Sequence, residues 1–213
     1  MSTESTIASL RVVRHSAMAD ALGRLRNRHS STLEFRAAVR LIARALAYEA
    51  TRELPVEAIA IDTPMERMDA DRMTARVVAV PILRAGLGLL DGFLDIIPSA
   101  ATGFIGLRRN EHTLLPDEYY RNIPDLDGAH LFLLDPMLAT GGSVLAALRA
   151  IPLENVASVS LLSIIAAPEG AGAVAAAFPQ LTIFTAALDR CLNDRGYILP
   201  GLGDAGDRLC ETL

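Results

Sequence analysis

The sequence contains no lysine: all 20 of its cationic side chains are arginine. That absence removes a Walker-type lysine on a phosphate, a Schiff-base lysine and a lysine general base. Any anion met by this chain must therefore be held by arginine, by backbone N–H groups or by a metal. Cysteine is nearly as scarce. Cys191 and Cys210 cannot build a disulfide framework, which fits a reducing compartment. His15, His29, His112 and His130 are scattered without ligand spacing, which argues against a structural zinc site. The longest uncharged stretch, residues 170–188, contains Gly172, Pro179 and Gln180 and divides into a helix, a turn and a strand, so it is no membrane span. The first thirty residues lack an apolar signal core, and Glu4 and Asp20 speak against a transit peptide; a cytoplasmic location is expected. With 25 acidic side chains the formal charge is −5, which disfavours general nucleic-acid binding; a local set of arginines between Arg11 and Arg52 is the one feature in its favour.

What is present is a globular composition, 51% apolar, in 213 residues, enough for one large domain with a real core. Residues 1–54 read as an N-terminal helical segment. A short amphipathic piece over 17–28 precedes one long helix over 31–54, on which Leu33, Val39, Ile42, Ala43 and Leu46 recur near helical spacing. Arg36, Arg40 and Arg44 line another face, as a solvated stripe or a subunit contact. Residues 55–188 alternate short apolar strands (58–61, 77–80, 101–107, 131–134, 158–165, 181–186) with helical stretches (87–97, 144–150, 170–178). Such alternation predicts an α/β core with a mostly parallel sheet flanked by helices, whose sites gather at the carboxyl ends of the strands. Residues 108–128, with two prolines and many charges, interrupt the alternation and read as a protruding hairpin arm.

Four loops are candidates for chemistry. The strongest spans Asp135, Pro136, Met137, Leu138, Ala139, Thr140, Gly141, Gly142 and Ser143. An apolar strand delivers Asp135 to its end, Pro136 stops the ladder, and a Thr-Gly-Gly-Ser run opens a helix. Glycines permit close backbone approach and the hydroxyls flank unpaired N–H groups, which together make a phosphate cradle. A carboxylate is wrong for phosphate but right for sugar hydroxyls, so the pattern suits a ribose phosphate. The plainer reading is a strand-to-helix loop capped by Thr140. Arg84 follows a second strand, with Gly86 and Gly88 at a helix entry; taken alone it reads as a surface arginine. Arg108 and Arg109 end a third strand and could neutralise another anion. Finally, Gly201, Gly203 and Gly206 match G-x-G-x-x-G in form, but only seven residues follow Gly206, too few for a dinucleotide fold. A glycine-rich terminal loop with Asp204 and Asp207 remains, able to bring peptide groups close to a small planar ligand.

Five segments in order, VPILRAGLG (80–88), GLRRNEHTL (106–114), DPMLATGGS (135–143), AAPEG (166–170) and GYILPGLGDAGDR (196–208), resemble the uracil phosphoribosyltransferase family over nearly the whole chain. The resemblance implies a type I phosphoribosyltransferase fold and transfer of ribose 5-phosphate from phosphoribosyl pyrophosphate to uracil, giving UMP and pyrophosphate. By position, residues 135–143 would hold the donor's ribose 5-phosphate and Arg84 and Arg109 its pyrophosphate. Ile198, Gly203, Asp204 and Ala205 would receive uracil in a small C-terminal hood of residues 189–213, with Asp204 also reaching the donor. Mg²⁺ held through the donor rather than by protein ligands, a GTP effector and a homodimer or homotetramer are implied as well. Arg108 stands where the family usually has an aromatic residue, and residues 13–22 (VRHSAMADAL) replace a more basic stretch. A purine or orotate transferase is disfavoured, since such relatives carry two adjacent acids where this chain has Asp135 and Pro136. A non-catalytic regulator sensing UMP or the donor is the alternative.

Overall fold

The computed structural model describes residues 7–109 and 116–212, with the side chains of Arg109 and Pro116 outside the described set. The elements run β1 (Leu10–Val12), α1 (Ser16–Arg26), α2 (Thr32–Ala50), β2 (Val56–Asp62), β3 (Arg67–Met73), β4 (Val77–Leu83), α3 (Leu87–Leu94), β5 (Ala101–Thr102) and β6 (Phe104–Arg109). They continue with β7 (Pro116–Asn122), β8 (His130–Leu134), β9 (Met137–Leu138), α4 (Gly142–Ala150), β10 (Ser158–Ala166), α5 (Pro168–Ala177), β11 (Thr182–Leu188), β12 (Cys191–Leu192), β13 (Ile198–Leu199) and α6 (Ala205–Cys210).

The central sheet has the order β1-β11-β10-β8-β4-β6-β7, parallel except for β7, which runs antiparallel to β6. From β4 the chain moves outward to β6 and β7, then returns to β8 on the other side of β4 and proceeds to β10 and β11. The switch in direction falls between β4 and β8, and in an open parallel sheet that is where a crevice opens at the carboxyl ends. Both faces are covered. Val77, Ala79, Phe132 and Leu134 face a core shared with α1, α2 and α3, while Val78, Val80, Leu131 and Leu133 face a second core under α4 and α5. Alternation along a strand explains the split, since neighbouring side chains point to opposite faces. Leu202, Ala205 and Leu209 of the C-terminal segment join the first core.

The long helix starts where its sequence dictates. Ser31 Oγ accepts from the Glu34 N–H at 3.3 Å and Glu34 Oε2 accepts from the Ser31 N–H at 2.8 Å, a reciprocal capping box. It ends at Ala50, four residues short of the expected span, where the Thr51 N–H and hydroxyl both turn back to the Ala47 carbonyl. Arg36, Arg40 and Arg44 are exposed, as a solvated stripe would be, but each also has a partner. Arg40 and Arg44 converge on Asp95 at the end of α3, at 2.8 and 2.6 Å, and hold its carboxyl well below the usual carboxylate range; Arg36 reaches the Leu209 carbonyl.

Two further expectations change. The strand over 58–61 lies in β2, which pairs only with β3 in a separate two-stranded antiparallel sheet, and β1 adds a strand to the segment read as helical. Within 108–128, β7 pairs with β6 and extends the central sheet, while residues 110–115 lie outside the described residues. A further antiparallel hairpin, β2–β3, forms its own two-stranded sheet. No helix among the described residues is long and apolar enough to cross a membrane.

Phe93 of α3 and Phe132 of β8, both buried, stack with ring centroids 5.1 Å apart where helix meets sheet. Phe93→Ala is expected to cost about 3–5 kcal/mol in urea unfolding; a loss below about 1 kcal/mol would show that this contact does not anchor α3.

Candidate active site

The loop after β8 is stitched to β10 rather than left free. The Asp135 N–H donates to the Leu162 carbonyl at 3.1 Å and the Pro136 carbonyl accepts from the Ile164 N–H at 3.0 Å. Next, β9 pairs with Ile165 and Ala166, and the Leu138 N–H donates to the buried Ser163 hydroxyl at 3.1 Å. Residues 139–141 then turn into α4, whose N-cap is Gly141 and not Thr140. Thr140 Oγ accepts only from the Gly142 N–H, at 3.3 Å, and no side chain caps the Gly141 end. Helix amides and the positive end of the α4 dipole thus open beside the exposed Ser143, an arrangement suited to phosphate. Pro136 and Leu138 are buried, so they shape this loop through backbone and packing.

Asp135 stands half-buried at the strand end. Burial pushes its carboxyl up to about 7, partly opposed by the Met137 amide. It is close to half ionised near neutral pH, as suits an acceptor awaiting donors such as sugar hydroxyls.

Arg84 follows β4, the strand beside β8, and the Leu83–Arg84 peptide is cis. The two loops touch through Gly86, where a Cβ would lie 2.2 Å from the Leu134 carbonyl oxygen; only glycine lets them approach so closely. The exposed Arg84 side chain lines a hollow with Arg36, Arg40 and Leu87, between α2, α3 and α6. Arg108 is exposed and 3.5 Å from Asp117. Arg109 ends β6, the neighbour of β4, and its side chain lies outside the described residues.

The glycine-rich terminal loop lies across the mouth of the loop after β8. One cavity of about 520 Å³ is lined by Met137, Ala139 and Ser143 on one side and by residues 195–198 and 200–204 on the other, with Ile165 at its back. The structure therefore brings Ile198, Gly203 and Asp204 together with the candidate phosphate loop. Ala205 is buried beneath them, in the core. Asp204 caps α6, accepting from the Asp207 N–H at 3.0 Å.

Several residues that hold this arrangement had no role assigned from the sequence, although Glu169 and Arg208 fall within the segments 166–170 and 196–208. Glu169, at the start of α5, accepts from the Leu192 N–H at 2.9 Å and ties down β12. Arg208 donates to the Leu202 carbonyl at 2.7 Å and the Asn27 carbonyl at 2.8 Å and lies over the Phe35 ring, 4.3 Å from its centre. Arg26 and Asp189 grip Gly201 from behind. Asp189 and Arg190 follow the carboxyl end of β11, which was the one available signal for Asp189.

A parallel sheet whose switch point carries a carboxylate and a helix start with no side-chain cap, faced by a glycine-rich loop across a shared cavity, defines a phosphoribosyltransferase. Comparison with known proteins makes this specific. A family model described as uracil phosphoribosyltransferase matches residues 12–212. Among curated relatives, the uracil phosphoribosyltransferase of Lacticaseibacillus paracasei is 47% identical over 203 residues, covering 94% of this chain and 97% of its own. That of Streptococcus equi subsp. zooepidemicus is 45% identical with the same coverage. The solved AQ2163 protein of Aquifex aeolicus superposes with a TM-score of 0.90 at 38% identity, covering 95% of this chain and 98% of its own. The chain belongs to the uracil phosphoribosyltransferase family.

The raised Asp135 carboxyl has a consequence for stability. Its folded value lies above the ordinary unfolded one of about 4, so its contribution is fully present below about pH 4 and lost as pH rises through about 7. Asp135→Asn removes the burden of a buried charge. Relative to the parent, its Tm should rise by several degrees at pH 8, and the difference should shrink as pH falls and vanish only below about pH 4 in calorimetric scans; a shift independent of pH would contradict the assignment.

Proposed function

We infer that the protein transfers ribose 5-phosphate from phosphoribosyl pyrophosphate to uracil, forming UMP and pyrophosphate, and that the single cavity between the two loops is where the transfer occurs. That shared cavity is the observation that carries the reading, because a donor and a base must meet at one anomeric carbon. In this reading Thr140, Gly141, Gly142 and Ser143 take the 5-phosphate and Asp135 the ribose hydroxyls. Arg84 and Arg109 take the pyrophosphate. Ile198, Gly203, Asp204 and Ala205 form the uracil side, with Asp204 reaching the donor as well.

The ring nitrogen bonds to the anomeric carbon as the bond to pyrophosphate breaks, and the nitrogen's proton leaves to solvent. Charge builds on the departing group, so the reaction needs placement and charge stabilisation more than covalent help. Binding the remote 5-phosphate supplies placement, and the arginines supply countercharge. Neither Asp135 nor Asp204 is needed as a general base. Uracil's carbonyls and N–H match peptide groups of the terminal loop, and a hydrogen-bonding site of this kind can reject a ring with the wrong edge by up to ~10⁴-fold, so cytosine should be a poor substrate.

Among the described residues no three His, Cys, Asp or Glu side chains gather to hold an ion. Mg²⁺ suits the pyrophosphate oxygens of the donor, and entering with them it would neutralise leaving-group charge. Stimulation by GTP, assembly into a dimer or tetramer and a cytoplasmic location are proposed on the family resemblance, and GTP titration and solution mass measurement test the first two. A regulator that binds UMP or donor without turnover has no observation in its favour, since both loops are complete.

Incubating the protein with phosphoribosyl pyrophosphate, Mg²⁺ and each of uracil, cytosine, orotate and hypoxanthine should yield nucleotide from uracil alone; no product from any base would return the regulatory alternative. Arg84→Ala should lower turnover roughly 30- to 1000-fold, the equivalent of about 2–4 kcal/mol, with an unchanged melting temperature because the side chain is exposed. Near-normal turnover would remove Arg84 from the site.

A further inference from the structure

The far wall of the cavity is held by two charged residues outside every motif of the chain. Arg26 is the last residue of α1, and Asp189 follows β11, 163 positions away. Asp189 is buried, only 7% exposed. Arg26 meets it as a fork, with Nη2 donating to Oδ1 at 2.5 Å and Nη1 to Oδ2 at 2.9 Å. The same two side chains then take both polar groups of one loop residue. The Gly201 N–H donates to Asp189 Oδ2 at 2.9 Å, and the Gly201 carbonyl accepts from Arg26 Nη1 at 2.8 Å.

Gly201 lines the cavity together with Pro200, Leu202 and Gly203. Among the described residues, no backbone-to-backbone hydrogen bond reaches residues 200–203, so no sheet ladder sets the height of this loop. Side chains do: Asp189 and Arg26 at Gly201, and Arg208 at the Leu202 carbonyl. Only glycine fits at position 201, since its φ is +67° and an added Cβ would lie 2.2 Å from the Ile198 carbonyl oxygen. Bonds between ionised groups and peptide dipoles in a buried setting are the strong, directional kind, and a bidentate fork adds orientation.

We propose that Arg26 and Asp189 are positioning residues for the pyrimidine: by clamping Gly201 they set the separation between loop 200–203 and loop 135–143, and with it the selectivity for uracil. The inference rests on reading the cavity as the uracil pocket. It makes the N-terminal helical segment part of the base site although Arg26 touches neither substrate.

Steady-state kinetics with both substrates varied test it. Removing one partner leaves a buried unpaired charge and can unfold the chain, whereas replacing both with apolar residues of similar size is often neutral for stability. The double variant Arg26→Met/Asp189→Leu should melt near the parent and keep its KM for phosphoribosyl pyrophosphate within about two-fold. Its KM for uracil should rise about 10- to 100-fold, as loss of one or two charge-assisted bonds gives, and the cytosine-to-uracil ratio of kcat/KM should rise with it. A merely structural pair predicts recovery of uracil KM along with stability, and that result overturns the proposal, as does a parallel rise in both KM values. Should the double variant not fold, Asp189→Asn, which keeps shape and one acceptor, is judged by the same uracil KM. Gly203→Val, inside the cavity, separates the two levels. If it raises uracil KM while the pair variants do not, the clamp is wrong; if it leaves uracil KM unchanged, the pocket reading and the clamp fall together.

Discussion

The parallel pairing of β8 between β4 and β10 is the constraint on which the site depends. Because the chain leaves β4 in one direction and β8 in the other, no crossover covers the ends of these two neighbours. Asp135 and Arg84 emerge there, side by side, from strands whose interiors are buried on both faces. Continued stitching along β10, through Leu162, Ile164 and Ile165, carries the order of the sheet past the last strand residue and into the loop. Peptide groups aimed at a ligand are therefore fixed before the ligand arrives, which is the preorganisation that charge stabilisation requires.

Arginine does much of the joining outside the sheet, and the lack of lysine has a structural meaning as well as a chemical one. Arg36 places two donors on the Leu209 carbonyl, and Arg208 reaches the Leu25, Asn27 and Leu202 carbonyls from one guanidinium. A lysine nitrogen is a compact point charge and could not span those acceptors with a planar fork. Burial lowers the pKa of Arg208, yet a guanidinium stays charged where an ammonium would be prone to give up its proton. The α1–α2 segment and the C-terminal hood are thereby tied together across nearly the whole length of the chain.

The parts of this arrangement that were legible in the sequence are those written in consecutive residues. Leu131–Leu134 followed by Asp135, Pro136 and a glycine-opened helix announces its own strand, stop and turn. The apolar runs 77–80 and 131–134 located the parallel strands β4 and β8 for the same reason, whereas the equally apolar run 58–61 belongs to the antiparallel β2. By contrast β3, Arg67–Met73, carries charges and stands exposed on both faces, so it has no hydrophobic period to read. Arg26 and Asp189 are single charges far apart in the chain, and nothing local marks them as a pair. The rule that sites gather at the carboxyl ends of parallel strands did point at the residues following β11, as it did at those following β4, β6 and β8.

Asp135 and Arg84 show opposite electrostatic circumstances at adjacent strand ends, and the contrast bears on how the site fills. Arg84 keeps its hydration and its freedom, with its loop backbone already fixed by the contact of Gly86 with Leu134. Its guanidinium can move to an anion without remodelling the sheet edge. Asp135 has lost hydration without gaining a charged partner, so in the empty protein its ionised form is the disfavoured one up to about pH 7. Hydroxyl donors entering beside it supply what water no longer can and favour the carboxylate, so below that pH occupancy and loss of its proton are coupled. The same burial that burdens the empty fold thus makes the carboxylate responsive to a sugar diol rather than to solvent.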